Sequence, residues 1–514
     1  MSMTQDSFSA KSAQIQLQVN KLLEIVSNAV ERHTPIHDVE RQTFDVLLQM
    51  GRSTLSMLLE ALGDGDVGES VDVEDNKKLK RSQSLHHREY MSIFGLFQLE
   101  RFVYSKREGT KVEFVPLDAR LGLPESKFSY LLQDWDQSIA MEEPFQKVGN
   151  VIEKILKLDQ HVDSLERMNR QMAKTVDDFH GQQATPPANE EAAILVQTAD
   201  GKGVPIRRAA DTPKIESHRG RLGPKPGGKR MATLGAVYSV DPYIRSPEEV
   251  VESLFRQPGT RKENDNTKRR PRPKHKRVQA YLDHIDSNGD ETHGAASIFG
   301  WLADEVAARN PQSESGQPAK ALVSIMDGQE SLWNTRDVFQ PNVPMIDILD
   351  LLHVTPRLWT AANIFHKAGS DDATKFVRDR VLRVLRGEVS SVIVGLRRLA
   401  TTHGLVGKKL QTLETIINYF DKNRDKMKYQ EYLSSGYPIA SGVIEGACRH
   451  VVKDRLERTG MTWTIPGAQS MLSLRCIHLG DNWDEFTKFR IEKETQKIHP
   501  YRKKLPEMSW AAAP

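Results

Sequence analysis

What most limits how this chain can fold is a set of short apolar runs, rich in β-branched residues, set between longer stretches with helical spacing. AILVQTA before Asp200, MATLGAVYSVDP (231–242), ALVSIMDG (321–328) and VPMIDILDLLH (343–353) read as strands. GAASIFGWLADEVAARN, over about 293–309, reads as a helix, and residues 356–430 keep helical periodicity with many charges. Strands alternating with helices imply an α/β layer, because each element must bury its apolar face against a neighbour.

The N-terminal third reads differently. Residues 1–12 look like a disordered tail. Residues 13–32 and 40–62 are helical by spacing, with Val46, Leu47, Met50, Leu55, Leu58 and Leu59 on shared faces. GDGDVGESVDVEDNKK is a polar loop, and SIFGLFQLERFVYS (92–105) a strand or hairpin arm. From Glu143 to Phe179 the helical pattern returns, with a break at LKLDQHVD. That arrangement is compatible with a DNA-reading helix-turn-helix or with an ordinary helical hairpin, since no glycine marks the turn. GQQATPPANEE (181–191) is a linker by composition. The expected organisation is a mostly helical N-terminal region over 1–182, an α/β core over 190–355, a helical insertion over 356–430, the rest of the core over 431–484, and a basic, frayed tail over 485–514.

Composition narrows the class. The chain has 514 residues, 38% of them hydrophobic and 27% charged, and no stretch has the ~20 apolar residues needed to span a bilayer. The N-terminus lacks a basic start and an apolar centre, so a cytoplasmic protein without membrane contact is expected. Two cysteines, Cys448 and Cys476, are too few for a disulfide scaffold and read as reduced, partly buried thiols. Net charge is only +3, but residues 207–230 hold eight Lys or Arg against two acids, and 261–277 hold nine against two. Such runs suit a polyanion, whose phosphates release counterions on contact; they also suit a solvated loop.

Two acids, Asp200 and Asp327, close apolar β-like runs, and each precedes a glycine that would let backbone approach a ligand. A third, Glu445, opens a helix that runs to Gly460. Three gathered carboxylates repel unless cations sit between them. Hard oxygen ligands suit Mg²⁺, and two such ions can clamp both oxygens of an in-line phosphoryl displacement. Asp347 competes with Asp327 as the second acid. Asp350 and His353 read either as strand-end and helix-start residues or as accessory metal or DNA contacts. Arg449 and Lys453 follow Glu445 at helical-turn spacing, beside it as phosphate contacts or as solvated charge. Trp333 and Trp463 read as core residues or as stacking platforms for an unpaired base.

TADGKG, SIMDGQESLW, DILDLLH and SGVIEGACRHVVKDRLERTGMTW together resemble the DDE transposases of the Mutator-like superfamily, and among them the Kra-type bacterial insertion-sequence transposases. The likeness covers about residues 190–480 and includes an Asp-x-x-His signature, Asp350 to His353, downstream of the second aspartate. It implies an RNase H-like core with acids on the first and fourth strands and on a later helix, a helical insertion before that helix, and a DNA-binding N-terminal region. It also implies catalysis by Asp200, Asp327 and Glu445 around two Mg²⁺ ions, with Mn²⁺ as a substitute. The reaction would be DNA cleavage at transposon ends and strand transfer into target DNA. A homodimer or larger assembly on DNA, and a bacterial, nucleoid-associated location, follow from the same likeness. Arg207, Arg208, Arg219, Arg221, Lys229, Arg230, Arg269, Arg270, Arg449 and Lys453 are the expected DNA contacts. An RNase H-like nuclease without strand transfer, and an inactive DNA-binding regulator derived from a transposase, are the alternatives.

Overall fold

The computed structural model describes residues 5–73, 77–207, 228–256, 270–285, 291–311, 319–458, 460–508 and 510. The chain divides into two compact units, residues 1–179 with 482–514, and residues 180–481. No helix among the described residues is long and apolar enough to cross a membrane.

The first unit opens with a helix over Gln5–Arg32, which takes in part of the expected N-terminal tail, and a second over Ile36–Leu62. The segment read as a polar loop instead carries two strands, β1 (Ser70–Val73) and β2 (Lys77–Arg81), paired antiparallel. Their few apolar residues, Val71, Val73 and Leu79, alternate inward, a period-2 pattern diluted by charge. A hairpin follows, β3 (His86–Ser92) with β4 (Gly95–Arg101), and a short β5 (Tyr104–Ser105) pairs with β2. Helices Tyr130–Glu142, Phe145–Leu156 and Val162–Ala173 form a cluster. The expected turn between the last two is made without glycine, because Lys157 takes the left-handed conformation itself, at φ 59°. The presumed frayed tail is a helix, Trp483–Ile498, and a 3₁₀ turn, Arg502–Glu507. It is held by burial: Phe486 stacks edge-on against Phe179, Leu505 joins the Tyr104–Phe114 cluster, and buried Arg490 donates to Gln133 at 3.1 Å.

The second unit is a mixed α/β structure around a five-stranded sheet. Its strands are β6 (Ile194–Pro205), β7 (Lys229–Val240), β8 (Lys274–Leu282), β11 (Ala321–Met326) and β12 (Ile346–Leu349); β9 (His284–Ile285) and β10 (Glu291–Thr292) form a small ribbon. The spatial order is β12-β11-β6-β7-β8, with β7 antiparallel to β6 and β8, and β11 and β12 parallel to β6. Strand β8 carries little strand signal in the sequence, because KHKRVQAYL begins inside the run of positive charge over 261–277. The strand expected over 343–353 stops at Leu349, and Asp350 caps a helix over Leu351–Phe365.

Alternation along the strands assigns each residue a face. Leu195, Ala199, Leu322 and Met326 pack with Ile298, Phe299 and Leu302 of the Gly294–Arg309 helix. Ile194, Val196, Val323, Ile325 and Ile348 pack against the helices that follow β12, through Leu358, Val381, Ile417 and Phe420. The residues read as a helical insertion are helical, and helices Leu351–Phe365, Asp371–Leu385, Val389–Thr402 and Gly407–Lys422 share one core with that sheet face. The linker over 181–191 ends in this unit with a buried ion pair, Glu191 to Arg309, at 2.7 Å.

Candidate active site

Register brings the acids together. On three adjacent parallel strands Ala199 pairs with Met326, and Met326 with Leu349. The next residues are Asp200, Asp327 and Asp350. By strand alternation they share the face of Val196, Ile325 and Ile348, the face covered by the later helices. Asp200 is not at a strand end, as the sequence suggested, since β6 continues in antiparallel pairing with β7 to Pro205; what ends at Ala199 is its parallel pairing with β11.

Glu445 reaches the same place from the Gly442–Ala447 helix: His353 Nε2 lies 3.0 Å from its Oε1. Ligand atoms of Asp350, His353 and Glu445 all fall within 4.8 Å of one another. Among the described residues this is the one group of three or more acidic, histidine or cysteine side chains close enough to share an ion, and it holds neither Asp200 nor Asp327. Asp350 is fully buried and both its oxygens are taken, Oδ1 by the Leu352 N–H at 2.8 Å and Oδ2 by the Ser441 hydroxyl. Burial holds its carboxyl above the ordinary carboxylate range. Asp200, Asp327 and Glu445 are half-buried, open to solvent on one side.

Each of these three is oriented locally. Asp200 accepts the Gly201 N–H at 2.7 Å on Oδ1 and the Cys448 thiol at 3.4 Å on Oδ2. Burial, with the Asp200 carboxylate beside it, pushes the Cys448 thiol far up, so the sulfur stays protonated and able to donate. Asp327 accepts the Gln329 N–H at 2.8 Å, and its carbonyl accepts the indole N–H of Trp333 at 2.7 Å. Asp347, the competing second acid, is occupied: Arg336 holds both its oxygens.

Other readings change. The glycines after Asp200 and Asp327 leave room for the protein's own side chains: a Cβ at Gly328 would lie 2.2 Å from the Tyr419 ring, and one at Gly201 3.0 Å from the Met231 sulfur. The helix after Glu445 is not a continuous α-helix, because Cys448–Lys453 is π-helical. The i, i+4 stacking assumed for Arg449 and Lys453 does not hold over a π turn; both are exposed, and Arg449 lies 3.9 Å from Asp454. Trp333 and Trp463 are buried. Lys229 pairs with Glu457, and Arg207, Arg230 and Arg270 are exposed. Arg208, Arg219, Arg221 and Arg269 lie outside the described residues.

Sequence reasoning missed Cys448, Ser441 and Tyr419. Cys448 stands three residues after Glu445, a spacing that places two helical side chains side by side, and that signal would have found it. Tyr419 carried none: its ring lies against Gly328 and under the Arg357 guanidinium, 3.5 Å from the ring centroid, only through long-range packing.

No family model matches this chain, and no curated protein matches it.

Proposed function

We propose that the chain is a DDE-type transposase with an RNase H-like core, cleaving DNA at transposon ends and transferring the strand into target DNA. The observation that carries this reading is the register just described: Asp200 and Asp327 follow paired residues on neighbouring parallel strands, with Glu445 joined to their surroundings through Cys448 and His353. Asp200 lies on the first strand of the five-stranded sheet, Asp327 directly follows the fourth, and Glu445 lies on a later helix, an order that supports the reading the family resemblance implies.

The chemistry of the three proposed acids suits a hard divalent ion, while the side chains already close enough to share one are Asp350, His353 and Glu445. Asp200, Asp327 and Glu445 offer carboxylate oxygens, and their partial exposure leaves space for water and phosphate oxygens. Two Mg²⁺ ions, or Mn²⁺ in their place, would supply an activated water or 3′-hydroxyl and would neutralise charge on the phosphate under attack. The protein's own part is positioning. His353 fixes the Glu445 carboxylate, the Cys448 thiol and the Gly201 N–H aim Asp200, and the Gln329 N–H turns Asp327 so that Oδ2 keeps its lone pairs. Asp350 ties the start of the Leu351–Phe365 helix to Ser441, just before the Glu445 helix. DNA-end recognition by the first unit, and pairing of two copies to hold two ends, belong to the same proposal.

The test is a labelled duplex carrying the element's terminal repeat, incubated with the full-length protein and Mg²⁺ or Mn²⁺, with Asp327→Asn as the comparison. Cleavage and strand transfer by the wild type, both lost in the variant while DNA binding stays, support the reading. Cleavage without strand transfer points to a nuclease, and binding with no cleavage under either metal points to a regulator.

A further inference from the structure

A cavity of about 400 Å³ opens in the second unit between the end of β7, the residues leading into β8 and the loop before the Glu445 helix. Its charged lining is Arg245, Arg270, Arg272 and one acid, Asp241, which pairs with Lys274 at 3.3 Å. Among the described residues no carboxylate forms an ion pair with any of these three arginines. The Arg245 Nε is buried and has no hydrogen-bond partner. Its guanidinium rests beside the Tyr243 ring, 5.1 Å from the centroid. Burial and the neighbouring Arg270 charge push the Arg245 pKa down, and Tyr243 and the Glu249 carboxylate offset this only in part, so positive charge is held here against desolvation and repulsion.

The walls are fixed by backbone. The Tyr243 N–H donates to Gly436 at 2.9 Å and the Arg245 N–H to Leu433 at 3.4 Å. Gly436 sits at φ 75°, and a Cβ there would lie 2.7 Å from the Tyr243 nitrogen, so no other residue fits without parting the two loops. Surface arginines are ordinarily solvated or paired. A half-buried one with an unsatisfied Nε, facing two more cations, is costly unless an anion completes it. The volume exceeds what one phosphate fills and lies in the range of about 300–1,000 Å³ typical of ligand pockets. The rest of the lining is uncharged, with two tyrosines and three prolines among small and aliphatic residues, which suits a planar ring or a sugar.

We infer that this cavity binds one nucleotide of a nucleic acid strand, its phosphate held by Arg245, Arg270 and Arg272 and its base or sugar packed against Tyr238, Tyr243 and Pro271. The inference rests on the proposed function only in taking a DNA strand as the source of the phosphate. Gly442 and Val443 form part of the wall and begin the helix that carries Glu445, so an occupant here would bear on the placement of the third acid.

The experiment is fluorescence anisotropy of a labelled 20-mer, single-stranded and duplex, with the full-length protein across a salt series. Arg270→Ala and Arg272→Ala remove exposed side chains, Arg245→Gln keeps volume at the half-buried position, and Lys408→Ala is a distant surface control. Each arginine variant is expected to raise Kd roughly tenfold near 0.1 M salt and to lower the salt slope by about one, with the control unchanged. Wild-type binding that the three arginine variants leave intact would overturn the pocket alone. No oligonucleotide binding by the wild type would sink the functional reading; inorganic phosphate occupying the pocket in that case, seen as protection of Arg270 and Arg272 from phenylglyoxal, would also overturn the strand as its source. Competition of the 20-mer by millimolar inorganic phosphate, lost in Arg245→Gln, would add support by placing the phosphate contact at this pocket.

Discussion

The acid-bearing end of the five-stranded sheet and the helical cluster of the first unit each bury an aspartate completely, and they surround it in opposite ways. Asp350 gives both oxygens to donors, the Leu352 N–H and the Ser441 hydroxyl. Asp136, on the Tyr130–Glu142 helix, has no donor in good hydrogen-bond geometry on either oxygen, and the nearby Gln160 amide offsets only part of its burial. An unmatched buried polar group costs about 1–3 kcal/mol, so Asp136 escapes by keeping its proton, and its pKa is pushed up to about 7 by burial. The contrast separates two uses of a carboxylate. A satisfied one ties elements together, here two segments that carry site residues, and leaves chemistry to half-exposed neighbours such as Asp327. Burial raises both carboxyls, and at Asp136, where no donor in good geometry offsets it, the unit is coupled to pH up to about 7.

The largest effect is expected at the neighbour. Asp327→Asn should cut strand cleavage at least a thousandfold, about 4 kcal/mol of barrier, with an unchanged unfolding midpoint. If Asp350→Asn gave the same loss at unchanged stability, the division between tying and reacting carboxylates would fail. Next comes Asp350→Ala, which removes the helix cap and strands the Ser441 hydroxyl; urea unfolding should show a loss of about 3 kcal/mol.

A somewhat smaller effect is expected at Asp136, and its sign follows from the raised pKa. The folded unit binds the Asp136 proton more tightly than the unfolded chain does. Stability is therefore fully present below the ordinary carboxylate value, falls as pH rises toward about 7, and is flat above it. Between pH 5 and pH 8 the first unit should lose about 2 kcal/mol, and Asp136→Asn should abolish that slope and be the more stable form at pH 8. A thermal midpoint of the wild type indifferent to pH over this window would count against the unsatisfied carboxylate. The smallest effect is expected at Gly328→Ala. The new methyl meets the Tyr419 ring, costing about 1–2 kcal/mol, and a Tyr419→Ala background should relieve it.

Much of the α/β unit was legible because its strands are apolar and short and its helices periodic. Apolar runs marked β6, β7 and β11 and the Gly294–Arg309 helix. What was misread follows one pattern. β1, β2 and β8 carry charge at most exposed positions, so few apolar residues signalled them. The Trp483–Ile498 helix looked like a basic tail because its contribution to the core rests on a few residues, Trp483, Phe486 and Arg490 among them. At the site, Asp200, Asp327 and Glu445 were named from apolar runs and motif likeness. That Cys448 holds Asp200 could not be read, since the two lie 248 residues apart, and that Asp347 is spent on Arg336, only 11 residues away, depends on how the helix that carries Arg336 packs beside β12.

The sequence by itself determined the alternation of strands and helices and the face each residue presents, because a period of 2 or 3.6 is a local property of the backbone. Only the tertiary structure decided which acids stand side by side and which are consumed. Parallel register sets Asp200, Asp327 and Asp350 in one row, and burial then distinguishes them: the carboxylate sealed between Leu352 and Ser441 is closed to solvent, while the two half-buried ones keep an open side, Asp200 held by the Gly201 N–H and the Cys448 thiol and Asp327 by the Gln329 N–H alone.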